Sequence, residues 1–352
     1  MIIYGIDTLE LGIKILDYNR IFSDLLKTLE ELKQKAQTIK KEVIINMGGT
    51  NLVIKPKGQG FYAYKLECED FQICFIKESI KNTPPIYVRF ISQYLWKYGY
   101  QMAYEIFAEW FYNVFKTRIY ATVVSRLDIC CDIDEITFYP EDCTKFVGRA
   151  KKKEIYNVDS SHFWGKEFSG FVIGKGSPLL CRIYNKSLES QKAKKWFEYI
   201  WGKNSWNGQT VWRIEFQARR KVLKELQINE VIDIKTNVKA IWEYYTQKWI
   251  TLRKEIDDRN ISRWPIDSRW EKIQHMCGDY STEPIAREII KKGDLDTLLN
   301  SCIGYMSSIA ALKQLENTTD TLKYLEACTL EKEEKKHITF KEEVERKKNR
   351  YL

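Results

Sequence analysis

Apolar and polar residues alternate with a period of two in three short stretches of this chain. In each stretch the ionisable side chains fall on one side. In 124–134 (VSRLDICCDID), Arg126, Asp128, Asp132 and Asp134 share one face, and Leu127, Ile129, Cys131 and Ile133 share the other. In 180–186 (LCRIYNK), Arg182, Tyr184 and Lys186 stand opposite Cys181 and Ile183. In 211–219 (VWRIEFQAR), Arg213, Glu215, Gln217 and Arg219 stand opposite Trp212, Ile214 and Phe216. Placed in one sheet, the three strands present a core face and a face of carboxylates, guanidiniums and a phenol.

The rest of the pattern sets these strands in context. Residues 2–16 alternate weakly and predict a strand. Residues 18–40 carry Phe22, Leu25, Leu26, Leu29, Leu32, Ala36 and Ile39 at helical spacing. Short apolar runs at 43–45, 52–54, 61–68 and 71–76, punctuated by Gly48-Gly49, Pro56-Lys57-Gly58 and Glu69-Asp70, predict a meander of hairpins. Another strand follows at 86–91. A broad apolar stripe from Met102 to Phe115 predicts a helix over 100–116. Residues 141–165 read as a helix and then a polar loop, 170–176 as a glycine-punctuated turn, and 187–200 as a helix before a turn at 202–208. Beyond Lys221 the pattern is helical, including 241–253 and 286–315, and it closes on a mixed-charge tail at 331–350.

This order predicts an α+β fold, with a mainly antiparallel central sheet, flanking helices and a helical C-terminal region. Sheet-bearing residues 1–276 divide into a meander with one helix (1–84) and a motif-bearing core (85–276). Residues 277–352 form the helical region.

Composition adds direction. The 352 residues carry a net charge of +9 and 14% aromatics, a balance that favours a polyanionic partner and allows stacking on bases. Nine cysteines at irregular spacing, with no C-x-x-C pair, give neither a disulfide framework nor a zinc ribbon. No run of 18 apolar residues and no basic-then-apolar leader occurs, so the expected location is cytoplasmic, with no membrane partner.

The polar faces carry the candidate chemistry. Asp128 and Asp132 lie four residues apart, about 13 Å along a regular strand, so a shared ion would pair one of them with Glu215 from a neighbour. Oxygen ligands of this kind suit Mg²⁺ or Mn²⁺. Arg182 and Lys186 beside Tyr184 favour its phenolate and offer positive charge to a phosphate. Only His162, His275 and His337 occur, with no His-x-His pair, and no G-x-x-x-x-G-K-[ST] loop supports use of ATP. Charge pairs on a solvated sheet face explain each strand taken singly.

In chain order the three strands resemble the replication initiation factor family, which comprises rolling-circle initiators of plasmids and filamentous phages and related relaxases of conjugative elements. The matching residues are 125–128 (SRLD) with Asp132; 174–176 (GKG), 182–186 (RIYNK) and Glu189; and Arg213-Ile214-Glu215 with Arg219. Flanking segments at 88–99 and 241–270 fit as well, so the resemblance covers about residues 85–275. It implies a strand-specific DNA endonuclease and ligase that makes a 5′-phosphotyrosine and a free 3′-hydroxyl at an origin. Carried over, Tyr184 is the nucleophile, Asp128 and Glu215 are metal ligands, and Asp132 is a third. Arg126, Arg182 and Lys186 act on the phosphate, and Arg213, Arg219 and Lys175 hold DNA. Asn185 stands where the family often has Asp, and Asp-Ile-Asp where it often has two adjacent Asp. The third ligand stays open, and Tyr156 and Tyr199 stay open as alternative tyrosines. The implied partners are origin DNA, a helicase, a polymerase and a second copy of the chain. A conjugative relaxase and a non-catalytic origin-binding protein are the alternative readings.

Overall fold

Two 13-residue strands run side by side through the middle of the molecule: β1 (Ile2–Lys14) and the strand that carries Arg126 and Asp128. The structure, a computed structural model, describes residues 1–39, 42–159, 166–193, 196–275, 287–336 and 338–351. The next strands are β2 (Val43–Met47), β3 (Thr50–Ile54), β4 (Tyr64–Glu67), β5 (Phe71–Phe75) and β6 (Ile86–Phe90). Then come β7 (Ala121–Ile133), β8 (Phe146–Gly148), β9 (Lys153–Asp159) and β10 (Lys166–Ile173). The last are β11 (Leu179–Asn185), β12 (Trp212–Arg219) and β13 (Ile250–Leu252). Eleven form one antiparallel sheet in the order β2-β3-β4-β5-β6-β1-β7-β12-β11-β10-β9, and β13 pairs with β8.

The helices are α1 (Tyr18–Ile39), α2 (Ser92–Tyr98), α3 (Tyr100–Phe115), α4 (Lys186–Ala193), α5 (Trp196–Lys203) and α6 (Arg220–Glu225). They continue with α7 (Val231–Glu243), α8 (Ser268–His275), α9 (Arg287–Lys313), α10 (Thr318–Lys336) and α11 (Phe340–Tyr351). The fold is α+β with flanking helices and a helical C-terminal region, as the pattern predicts. The proposed boundary near residue 276 lies outside the described residues. No described helix is long and apolar enough to cross a membrane. No disulfide joins the described cysteines.

One face of the sheet holds the main core. Leu9, Leu11 and Ile13 of β1 and Leu127, Ile129, Cys131 and Ile133 of β7 join Phe22 of α1, Phe107 and Phe111 of α3, and Trp242 of α7. The alternation in β7 places these residues inward, and burying them supplies the driving force for sheet formation. A second, smaller core lies on the opposite face. There Ile3 and Cys130 of the sheet pack under Trp96 of α2 and Trp196, Phe197, Ile200 and Trp201 of α5.

Several local expectations are corrected. Residues 141–165 hold no long helix: a 3₁₀ turn at Pro140–Lys145 gives way to β8 and β9, and 160–165 lie outside the described residues. The stretch 170–176 is not a turn throughout, since β10 continues through Gly170 to Ile173. Gly170 adopts φ +148°, and a Cβ there would lie 2.0 Å from the Ile183 carbonyl oxygen, so a conformation that excludes side chains is built into a strand. Residues 187–193 and 196–200 are helical as expected, and 194–195 lie outside the described residues. The helix expected over 241–253 stops at Glu243, passes through a π turn at Tyr244–Trp249 and becomes β13.

Candidate active site

The three polar strands are neighbours, in the order β7-β12-β11, and their register aligns the expected residues. Asp128 lies opposite Gln217, Asp132 opposite Arg213, Arg182 opposite Glu215, and Tyr184 opposite Arg213. A cavity of about 490 Å³ opens over one end of this face. Arg126, Asp128, Glu215, Arg182, Tyr184, Asn185 and Glu189 line it together with Asp7, Thr8, Arg89 and Tyr156.

At its centre the Tyr184 hydroxyl donates to Glu215 Oε2 at 3.0 Å. Arg182 holds the other Glu215 oxygen at 2.8 Å and the Gln217 side-chain oxygen at 3.0 Å, so the carboxylate is fixed between a guanidinium and a phenol. Arg126 grips Asp128 through two nitrogens and reaches Glu10 at 3.4 Å. Burial pushes the Asp128 carboxyl up to about 7. Arg126 opposes that rise, and the charges of Glu215 and Asp7 add to it.

Tyr184 departs from expectation. Burial raises its hydroxyl well above the ordinary range, and Glu215 adds to the shift, which Arg213 only partly opposes. The phenol is therefore neutral, and its hydrogen-bond partner is the Glu215 carboxylate. The Lys186 ammonium, fully buried, pairs with Glu189 and lies 4.5 Å from the Phe197 ring centre and 5.5 Å from that of Tyr184. It supports the tyrosine from below rather than facing solvent.

Asp132 and Arg213 are placed elsewhere. Arg213 binds both oxygens of Asp132, at 2.5 and 2.8 Å, and reaches Asp7 at 2.7 Å. Trp201 Nε1 donates to Asp132 at 2.9 Å, and both members of the pair are fully buried. The smaller core roofs this end of the face, so the expectations that Asp132 holds an ion and that Arg213 meets DNA do not match where the chain puts them. Arg219 is exposed at the end of β12, opposite Arg126 in register. Lys175 is exposed on the β10–β11 turn and pairs with Glu154 at 2.7 Å. Tyr199 lies on α5 and does not line the cavity.

Pattern reading missed Asp7. A register shift between Ile6 and Thr8 in β1 accompanies its turn toward the cavity, where Ser92 Oγ donates to it at 2.8 Å. The available signal was a lone carboxylate in an otherwise apolar strand start.

No family model matches the chain, and no curated protein matches it. Among solved structures it is similar to a rolling circle replication initiator protein from Geobacillus stearothermophilus. The two share 15% identity over 78% of this chain and 96% of that one, with a TM-score of 0.44. That likeness is one of outline, and the chemistry must come from the side chains.

A divalent ion on Asp128, Glu215 and Asp132 does not fit this arrangement. Among the described residues no three His, Cys, Asp or Glu side chains gather closely enough to hold one. Asp132 is committed to Arg213 and Trp201, Asp128 to Arg126, and Glu215 to Arg182 and Tyr184. A cation reaching Asp128 would compete with the Arg126 guanidinium for its oxygens. Mn²⁺ titrated into the DNA-free protein and followed by electron paramagnetic resonance is therefore expected to show no saturable binding below millimolar concentrations. Arg126→Ala, which releases Asp128, is expected to create such binding. Saturable uptake by the wild type would show that the arginines yield unaided.

Proposed function

We propose that this protein is a DNA nicking and joining enzyme of the rolling-circle initiator type, with Tyr184 as its nucleophile. The observation that carries the reading is the Tyr184–Glu215 hydrogen bond inside a cavity whose charged end is lined by Arg126 and Arg182. The two guanidiniums, each held by a carboxylate, and Arg89 at the rim are the donors a backbone phosphate would compete for. When that phosphate draws Arg182 toward it, Glu215 keeps its contact with the phenol and takes the proton as the Tyr184 oxygen attacks phosphorus. The phosphorus–O(Tyr184) bond forms and the phosphorus–O3′ bond breaks. The proton held by Glu215 is available to the departing 3′-oxygen, leaving a 3′-hydroxyl and a 5′-phosphotyrosine. Reversal of the same step rejoins the strand without ATP, because the ester preserves the bond energy. Exposed Arg219 and Lys175 extend the positive surface beyond the cavity and would follow the strand on either side.

The resemblance in the strand motifs points to an origin as the substrate, with a helicase, a polymerase and a second copy as partners. The test is a supercoiled plasmid carrying the chain's own replicon, incubated with protein with and without Mg²⁺ or Mn²⁺. The expected result is open circles, with protein attached to DNA through a bond that survives boiling in detergent. Tight origin binding with no nick under any of these conditions would leave a binding protein instead.

A further inference from the structure

We propose that the β9–β11 end of the cavity is a seat for one unstacked nucleobase, with the Tyr156 ring as its outer wall. The inference rests on the reading of the cavity as a single-strand DNA site and names what lies beside the scissile phosphate. Gly170 of β10 is the register partner of both Tyr156 on β9 and Tyr184 on β11. With φ +148° and a Cβ position blocked by the Ile183 carbonyl oxygen at 2.0 Å and Tyr184 Cα at 2.7 Å, no side chain can stand at Gly170. Two tyrosines on either side of it are thus separated by bare backbone. One step along, Val172 pairs with both Glu154 and Arg182 and adds an apolar surface to the same wall.

The cavity lining consequently offers two kinds of surface. One is the guanidiniums of Arg126, Arg182 and Arg89, and the other is the Tyr156 ring with Val172 and Leu188, the apolar side beginning directly beside Arg182. A nucleotide has the same division, a phosphate at one end and a flat π-surface at the other. Tyr156 is 47% exposed on the edge strand β9, so its ring is open to a ligand in the cavity. Ring-on-base stacking is tolerant of sequence, so this seat would position the strand rather than read it. With the base held against Tyr156, the adjoining phosphate falls toward Arg182 and the Tyr184 hydroxyl. Tyr156 is in this reading a positioning residue, distinct from the nucleophile.

The experiment uses the full-length chain in a Tyr184→Phe background, which prevents cleavage. The probe is a fluorescein-labelled single strand spanning the nick mapped by the plasmid assay, with one 2-aminopurine moved position by position. At one position next to the nick, binding should quench the 2-aminopurine. Tyr156→Ala should restore that fluorescence and weaken binding measured by anisotropy about ten-fold, while Tyr156→Phe should keep both. If the strand binds and quenching is the same with Ala as with Tyr at 156, the seat is not there, although the nicking reading stands. If the single strand does not bind at all, the reading of the cavity fails and the seat fails with it. Tyr156 lies on an edge strand, and an unchanged melting temperature in the Ala variant will separate lost stacking from lost fold.

Discussion

Tyr184→Phe is expected to lower plasmid nicking by on the order of 10³-fold or more and to abolish the covalent protein–DNA adduct. Removing one oxygen leaves the ring in place, so its packing against Lys186 survives. The loss to stability is one hydrogen bond, about 1 kcal/mol. DNA binding should change little, because Arg126 and Arg182 are untouched. That separation of chemistry from binding distinguishes a nucleophile from a tyrosine that merely packs. Glu215→Gln should give a smaller loss, about 10²- to 10⁴-fold, since it removes the base but keeps a side chain of the same shape. Arg182 would then lose its charged partner, so binding in this variant should tighten slightly rather than weaken. Phosphotyrosine mapping by mass spectrometry checks the assignment directly. An adduct on Tyr156 in the wild type would transfer the nucleophile to the exposed ring and overturn the role given to Tyr184.

On the proposed mechanism, the raised proton affinity of Tyr184 is the reason a base is required next to it. Two cations flank this tyrosine in sequence, and from sequence alone they favour phenolate. In the fold, Lys186 is neutralised by Glu189 and Arg182 by Glu215, and burial then dominates. A buried, neutral phenol on a carboxylate is protected from adventitious reaction until a phosphate competes for the arginine. In the proposed mechanism the same competition would act on the Arg126–Asp128 pair.

A period of two was enough to find three neighbouring strands and to say which side chains share a face. It reports only the face, and not which length of it is covered. The division of one polar face into an open end, with Asp128, Glu215 and Tyr184, and a roofed end, with Asp132 and Arg213, comes from α5. That helix's Trp196, Phe197, Ile200 and Trp201 sit at helical spacing and were readable as an apolar stripe, but nothing local said where the stripe lands. Asp7 was hidden for a different reason, since a register shift in β1 breaks the alternation that would have assigned it. β10 was misread because Gly170 looks like a turn and is instead a strand position with no room for a side chain. In each case the missing information was long-range contact.

Arg213→Ala is expected to destabilise the protein by about 3–5 kcal/mol, the largest loss to folding among substitutions near the site. The guanidinium is fully buried, bridges Asp132 and Asp7, and lies 4.4 Å from the Phe197 ring centre and 5.4 Å from that of Trp96. Truncation leaves Asp132 in a closed environment, and Asp7 at the cavity wall, without the guanidinium that pairs them, which costs more than the pair itself contributes. Arg213→Lys should rescue poorly, because one ammonium cannot hold both oxygens of Asp132 and still reach Asp7. Removing both members, with Arg213→Met and Asp132→Leu, should recover much of the loss. A deficit of about 1–3 kcal/mol should remain, because Trp201 Nε1 loses its acceptor and Asp7 loses Arg213. Urea midpoints at unchanged slope measure all four proteins. If Arg213→Ala instead melts like the wild type and loses DNA affinity with a shallower salt dependence, Arg213 faces the phosphate backbone after all. The division of the polar face into an open and a roofed end would then have to be abandoned.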